Sequence, residues 1–166
     1  MASHRAIVKA SAVVPGIYQF IFTIEPILAI LGAVMVLHAP HQYLAGMTRN
    51  AMPYTPDTRF LYTQVGGGWL FIAFVEGVVL RLFDDLSLWR VICAGMLLSD
   101  AAYAHGTAQA VGGWGIWLDR SLWTVEDYVV FWTTAPMLVV RCLLVLGIGI
   151  RIPKEGDAKQ GEKQAK

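Results

Sequence analysis

The chain has 166 residues, 56% of them hydrophobic and only 15% charged, with a mean hydropathy of +0.53. A water-soluble domain of this length carries nearer a quarter charged residues, so the composition is that of one compact membrane unit. A formal net charge of +1 removes the basic footprint a nucleic-acid binder needs, and two cysteines, Cys93 and Cys142, are too few for a disulfide scaffold. 

Crossing the hydrocarbon core as a helix takes about 20 mainly apolar residues. Four such runs occur, at about residues 18–38, 60–82, 88–110 and 128–150. They are continuous rather than alternating and far too long for barrel strands. The sequence thus predicts an all-α fold, a polytopic membrane protein with four transmembrane helices in one bundle over residues 18–150. Residues 1–17 are expected to form a cytosolic N-terminal segment and 151–166 a disordered cytosolic tail, polar and mixed in charge.

The first run starts too late and runs too long for a cleavable signal peptide. The acid-free start MASHRAIVKAS has the composition of a mitochondrial transit segment, but it leads straight into a spanning helix. Loop one, residues 39–59, holds Pro40, Pro53, Pro56, Tyr43 and Tyr54, and is long enough for a lumenal cap or re-entrant cover. The FDDLS turn offers Asp84 and Asp85 as caps of the third helix. Loop three carries Trp114, Trp117 and Trp123, residues of an interfacial belt, and Ser121 or Thr124 with Glu126 and Asp127 marks the start of the fourth helix.

Orientation follows from lysine and arginine. Arg5, Lys9, Arg81, Arg90, Arg151, Lys154, Lys159, Lys163 and Lys166 fall on one side; Arg49, Arg59 and Arg120 fall on the other. Both termini are therefore expected in the cytosol, with the endoplasmic reticulum as the expected membrane.

Charged side chains inside a membrane cost several kcal/mol on most scales and mark candidate sites. Glu25, Glu76, Asp100 and Arg141 lie inside the runs. At ~1.5 Å rise per residue they sit roughly 10, 9, 18 and 14 Å from the cytosolic end, close enough in depth for one cluster. Pro26 frees the carbonyl four residues earlier, a break that can help line a cavity. Tyr18 and Phe22 share a helical face with Glu25, Trp69 with Glu76, and Tyr103 with Asp100. Ala29, Ala73 and the run Gly66, Gly67 and Gly68 permit close helix approach, and Gln64 and His105 suit interhelical hydrogen bonds.

Two uses of these groups stay open. In one, Arg141 pairs with Asp100 or Glu76 and sets the helix register. In the other, Glu25, Glu76 and Asp100 are catalytic acids in a dry cavity, with Tyr18, Phe22, Trp69, Tyr103 and Arg141 binding the substrate. An acid of that kind can protonate an alkene or epoxide, and aromatic faces can stabilise the carbocation. Such chemistry suits a terpenoid- or sterol-like molecule entering from the lipid bilayer, handled by an isomerase or cyclase. Nothing in the sequence supports a nucleotide, haem or metal cofactor, and no Cys/His cluster has ligand spacing. A non-enzymatic accessory or scaffold protein is the alternative. A small transporter is a third reading, and would call for a homodimer to give room for alternating access.

The stretches FTIEPILAILGA, PDTRFLYTQVGGGWLFIAFVEGVVLR, DDLSLWRVICAGMLLSDAAYAHG and WTVEDYVVFWTTAPMLVVRCLLVLGIG resemble a small four-helix membrane family of unknown function from filamentous fungi. The resemblance covers about residues 17–150. It implies fold and location, and a role in terpenoid or polyketide-derived secondary metabolism; it brings no catalytic residue. In size, helix count and buried acids the chain is also similar to the emopamil-binding-protein type of sterol isomerase, without that group's fifth helix or its histidine/glutamate arrangement.

Overall fold

The computed structural model describes residues 7–151, and among these the chain is helical with no strand. Residues 1–6 and 152–166, and with them most of the expected tail, lie outside the described residues. A one-turn helix α1 (Ala10–Val13) precedes α2 (Gly16–His38), the short α3 (Pro40–Met47), α4 (Pro56–Leu82), α5 (Leu86–Ala110), the short α6 (Trp114–Leu118) and α7 (Val125–Leu146). Among the described residues three helices are long and apolar enough to cross a membrane: α2, α4 and α7, with mean hydropathies of 2.4, 1.6 and 2.0. The expected third run forms α5, 25 residues long. Arg90, Asp100, His105 and Gln109 make it less apolar than the other three. 

The ends of the helices follow local chemistry. Asp85 caps α5 by accepting from the Ser87 amide, whereas Asp84 turns to α1 and accepts from the Ser11 amide and hydroxyl. Thr124 and Asp127 form a reciprocal capping box at the start of α7, so Thr124 rather than Ser121 is the cap. At the other end of α7, Gly147 takes a left-handed φ of 77°. Arg90 reaches over it to donate to the Val145 carbonyl at 2.7 Å, and a Cβ on Gly147 would meet that guanidinium at 3.0 Å. Glycine is needed there for both reasons.

The long helices pack in the order α4, α2, α7, α5; α4 and α5 flank the remaining side without close backbone packing. The α2–α4 seam interlocks through two glycines. The Trp69 ring fills the space beside Gly32, where a Cβ would come within 2.7 Å of it, and Leu37 does the same at Gly66. Gly67 and Gly68, by contrast, face open space, so only one residue of the glycine run serves close approach. Outward faces carry Ile27, Leu31, Phe71, Val91, Leu98 and Val129, all exposed. A surface this apolar fits lipid as its solvent, and the chain is an integral membrane protein.

One end of the bundle is plugged. Ala10, Val13 and Val14 pack with Tyr18, Phe22, Leu86, Trp89, Cys93 and Leu144. Residue 151 returns to this end, where its amide donates to the Val13 carbonyl at 3.4 Å. 

Candidate functional site

The four charged residues expected inside the membrane meet in one cluster. Arg141, 1% exposed on α7, holds all three acids at once. Its Nη1 donates to both Asp100 oxygens at 2.7 and 2.6 Å, and its Nη2 donates to Glu25 Oε1 at 2.5 Å and to Glu76 Oε1 at 2.8 Å. One guanidinium thus ties α2, α4 and α5 to α7, a wider reach than the single pair with Asp100 or Glu76. 

Local backbone irregularities put the two glutamates there. Pro26 has no amide hydrogen, and the Phe22 carbonyl four residues earlier instead accepts from Arg81 Nη2 at 3.1 Å. Opposite it, residues Val75–Val79 of α4 form a π turn that contains Glu76. Gly77 of that turn lies beside Pro26, with room for no more than ordinary contact: a Cβ there would stand 3.5 Å from the proline ring. Single π turns inside α-helices are rare and concentrate at functional sites. 

The cluster is not charge-balanced. Three carboxyl groups surround one guanidinium, and unit charges 4 Å apart interact by on the order of 4 kcal/mol at an effective dielectric constant of 20. Glu76 is fully buried, and both Glu25 Oε2 and Glu76 Oε2 are buried without a hydrogen-bond partner, as is Arg141 Nε. Asp100 is the most accessible member, its side chain 18% exposed. Cys93 lies about two helical turns along α5 from Asp100 and is wholly buried. Among the described residues no group of three His, Cys, Asp or Glu side chains is arranged to hold a metal ion.

The four aromatic residues expected to line one pocket separate into two pairs. Tyr18 and Phe22 lie in the plugged end, where Phe22 meets Trp89 edge to face at 5.9 Å and the Tyr18 hydroxyl reaches the Ile148 carbonyl at 3.4 Å. Trp69 and Tyr103 meet at 6.1 Å beyond the charged layer, on the side of loop one. Tyr43 of α3 joins them, edge to face with Trp69 at 5.6 Å. Here the structure contains a shallow apolar groove of about 290 Å³, walled by Tyr43, Met47 and Met52 on one side and by Tyr103, Gly106 and Ala110 of α5 on the other. Its threonines, Thr48 and Thr107, spend their hydroxyls on their own helices. The Tyr103 hydroxyl points at the Met47 sulfur at 3.8 Å, and burial holds the Tyr43 phenol above its ordinary pKa, as a neutral hydroxyl. Of the residues proposed from sequence, Tyr103 borders this groove; Glu25, Glu76, Asp100 and Arg141 do not line it. 

Sequence reasoning missed a second ion pair. Arg49 donates from Nε to Asp127 at 2.9 Å, anchoring the loop-one cover to the start of α7. Arg49 and Asn50 hold left-handed φ values of 50° and 62°, uncommon for residues with a side chain. Gln64, expected between helices, is exposed, and His105 is exposed too, bonded only to Trp114 Nε1 at 3.3 Å.

A helical membrane bundle with a buried ionic centre and an apolar groove is the class these features define. The chain belongs to the family described as Domain of unknown function (DUF7704), whose model matches residues 11–151. No curated protein and no solved structure matches it.

Proposed function

We propose that this protein spans the membrane four times and binds a small lipophilic molecule, terpenoid- or sterol-like, in the groove beside Tyr103. The neighbouring carboxyl cluster would act as the acid for an isomerisation or cyclisation. The observation that carries this reading is a spacing on α5. Tyr103, in the groove wall, stands one helical turn from Asp100, the accessible member of the cluster. The groove's lining, apolar walls with a few hydroxyls, is of the kind small lipophilic ligands use, and its volume of about 290 Å³ falls just below the usual range of such sites. 

Four crossings are supported by the meeting of Val13 and Arg151, which flank the long helices. With Val13 and Arg151 hydrogen-bonded at one end, three crossings would leave them on opposite sides, which supports α5 as a fourth crossing. Its outward Val91 and Leu98 suit lipid. The lysine and arginine bias favours cytosolic termini, which puts the groove on the lumenal side, and the endoplasmic reticulum is the membrane proposed.

The non-enzymatic scaffold reading has its own observation: Arg141 is occupied by all three acids, and none of the four lines the groove. Photolabelling separates the two. A diazirine analogue of farnesol is added to the full-length protein in lipid nanodiscs, and labelled peptides are mapped. Saturable labelling of the segments holding Met47, Met52 and Tyr103, competed by unlabelled farnesol, supports the groove. Unsaturable labelling spread over outward residues such as Ile27 and Phe71 favours the scaffold.

A further inference from the structure

We propose that Glu25 and Glu76 form a proton-binding site, one proton shared between their free Oε2 atoms and exchanged with the outside through Asp100. This deepens the reading above by naming where the acid's proton is kept.

The argument begins with orphaned atoms. Both glutamates offer Oε1 to the same nitrogen, Arg141 Nη2, which brings the two carboxyl groups side by side. Both leave Oε2 buried and unpartnered. A buried acceptor without a donor is costly, and native interiors rarely keep one, let alone two adjacent. A proton on one Oε2 turns it into a donor for the other and satisfies both atoms together. It also reduces a cluster of three negative charges against one positive to two against one. Two carboxyl groups crowded into one site share a proton for this reason.

No other group on the surrounding elements can do this. From α7 comes Arg141: its Nη1 is taken by Asp100, its Nη2 by the two Oε1 atoms, and its Nε, itself buried without a partner, bonds neither Oε2. From α5 come Asp100 and the buried Cys93 thiol, a weak donor that bonds neither glutamate. Arg81, one turn beyond the π turn on α4, is committed to the Phe22 carbonyl and to Thr23 Oγ1 at 2.7 Å. The donor arrangement for a metal ion is missing among the described residues.

The exit follows from exposure. Asp100 is the part-exposed member of the cluster and belongs to α5, on the side where α4 and α5 stand apart. In the exchange step the O–H bond on the glutamate pair breaks and one forms on Asp100, which gives up one of its two Nη1 bonds. Water then takes the proton, and no oxidant or reductant is involved.

Infrared spectroscopy of the full-length protein in nanodiscs, at neutral pH in sodium-free buffer, tests this. The wild type should show a protonated-carboxyl stretching band that moves on transfer to D₂O. Glu25→Gln and Glu76→Gln should each abolish it, Asp127→Asn should leave it in place, and Asp100→Asn should slow its deuteration severalfold or more. If the glutamine variants fail to fold, Glu25→Asp must shift the band and Asp127→Asn must not. A wild type without the band overturns the proposal. So does a band lost in Asp127→Asn, kept in both glutamine variants or unmoved in Glu25→Asp, and so does one that sodium chloride removes while raising thermal stability, the mark of a cation in place of the proton. Farnesol labelling is read separately, so the groove can stand while this site falls.

Discussion

Between Arg141 and the chain ends, Tyr18, Phe22, Trp89, Cys93 and Leu144 fill the bundle and α1 covers it. Between Arg141 and loop one, Trp69 and Tyr103 touch only edge to face and a groove remains. The same four helices build both halves, so the difference lies in what fills them. The terminal half gains part of its apolar plug from outside the long helices, from Ala10, Val13 and Val14. The loop half is covered by α3, held by the Arg49–Asp127 pair rather than by dense packing. One half is closed, and the other leaves a groove whose wall at Tyr103 stands one helical turn from Asp100, where the proposed ligand would sit. 

The layer between them should be the most sensitive point. Arg141→Met leaves three acids without their cation, and removing one partner of a buried ion pair costs about 3–5 kcal/mol. We expect a large fall in the unfolding midpoint in detergent and little monodisperse protein on size exclusion. Near-wild-type stability would mean that the carboxyl groups do not depend on the guanidinium.

Next come substitutions that set the halves against each other. Leu144→Ala in the closed half removes a fully buried side chain and should cost about 2–5 kcal/mol. Met52→Ala at the groove wall, where the side chain is 58% exposed, should stay within about 0.5 kcal/mol. Equal losses in thermal unfolding would erase the contrast. Gly106→Leu sharpens it from the ligand side. A Cβ at Gly106 meets nothing within 4 Å, so folding should survive while the new side chain fills the groove. Farnesol-analogue labelling should then drop severalfold or more, with the unfolding midpoint unchanged.

The smallest effect belongs to the cover of the closed half. Hydrogen bonds from the Ser11 hydroxyl and amide hold the exposed Asp84 carboxylate below its ordinary pKa. The folded value is the lower one, so this contact stabilises at pH above the usual aspartate range and is lost as pH falls through the folded value. The hydrogen-exchange protection of residues 8–14, taken relative to the intrinsic exchange rate at each pH, should fall modestly under acid conditions. In Asp84→Asn it should be low at every pH.

What could be read from the sequence follows the same division. The helices were evident because continuous apolar runs have one physical meaning in lipid, and Glu25, Glu76, Asp100 and Arg141 stood out because charge there is anomalous. Helical faces, however, report direction and not what lies opposite. Tyr18 and Phe22 share a face with Glu25, yet they extend toward the chain ends, away from the groove. The π turn at Glu76 has no sequence signature, since it arises where α4 fits against Pro26. The seam at Gly32 was hidden because only its partner, Trp69, makes that glycine necessary. Arg49 and Asp127 lie 78 residues apart, beyond the reach of local pattern. 

Thiol accessibility tests the closed-and-open division most directly. In a Cys142→Ser background, native Cys93 reports the closed half, and Gly106→Cys in the same background adds a thiol to the open one. With a small membrane-permeant maleimide on nanodisc-embedded protein, Cys93 should stay unlabelled, while the thiol at position 106 reacts and is protected by farnesol. Labelling of Cys93 at a comparable rate, or labelling at position 106 that farnesol leaves unchanged, would contradict the account.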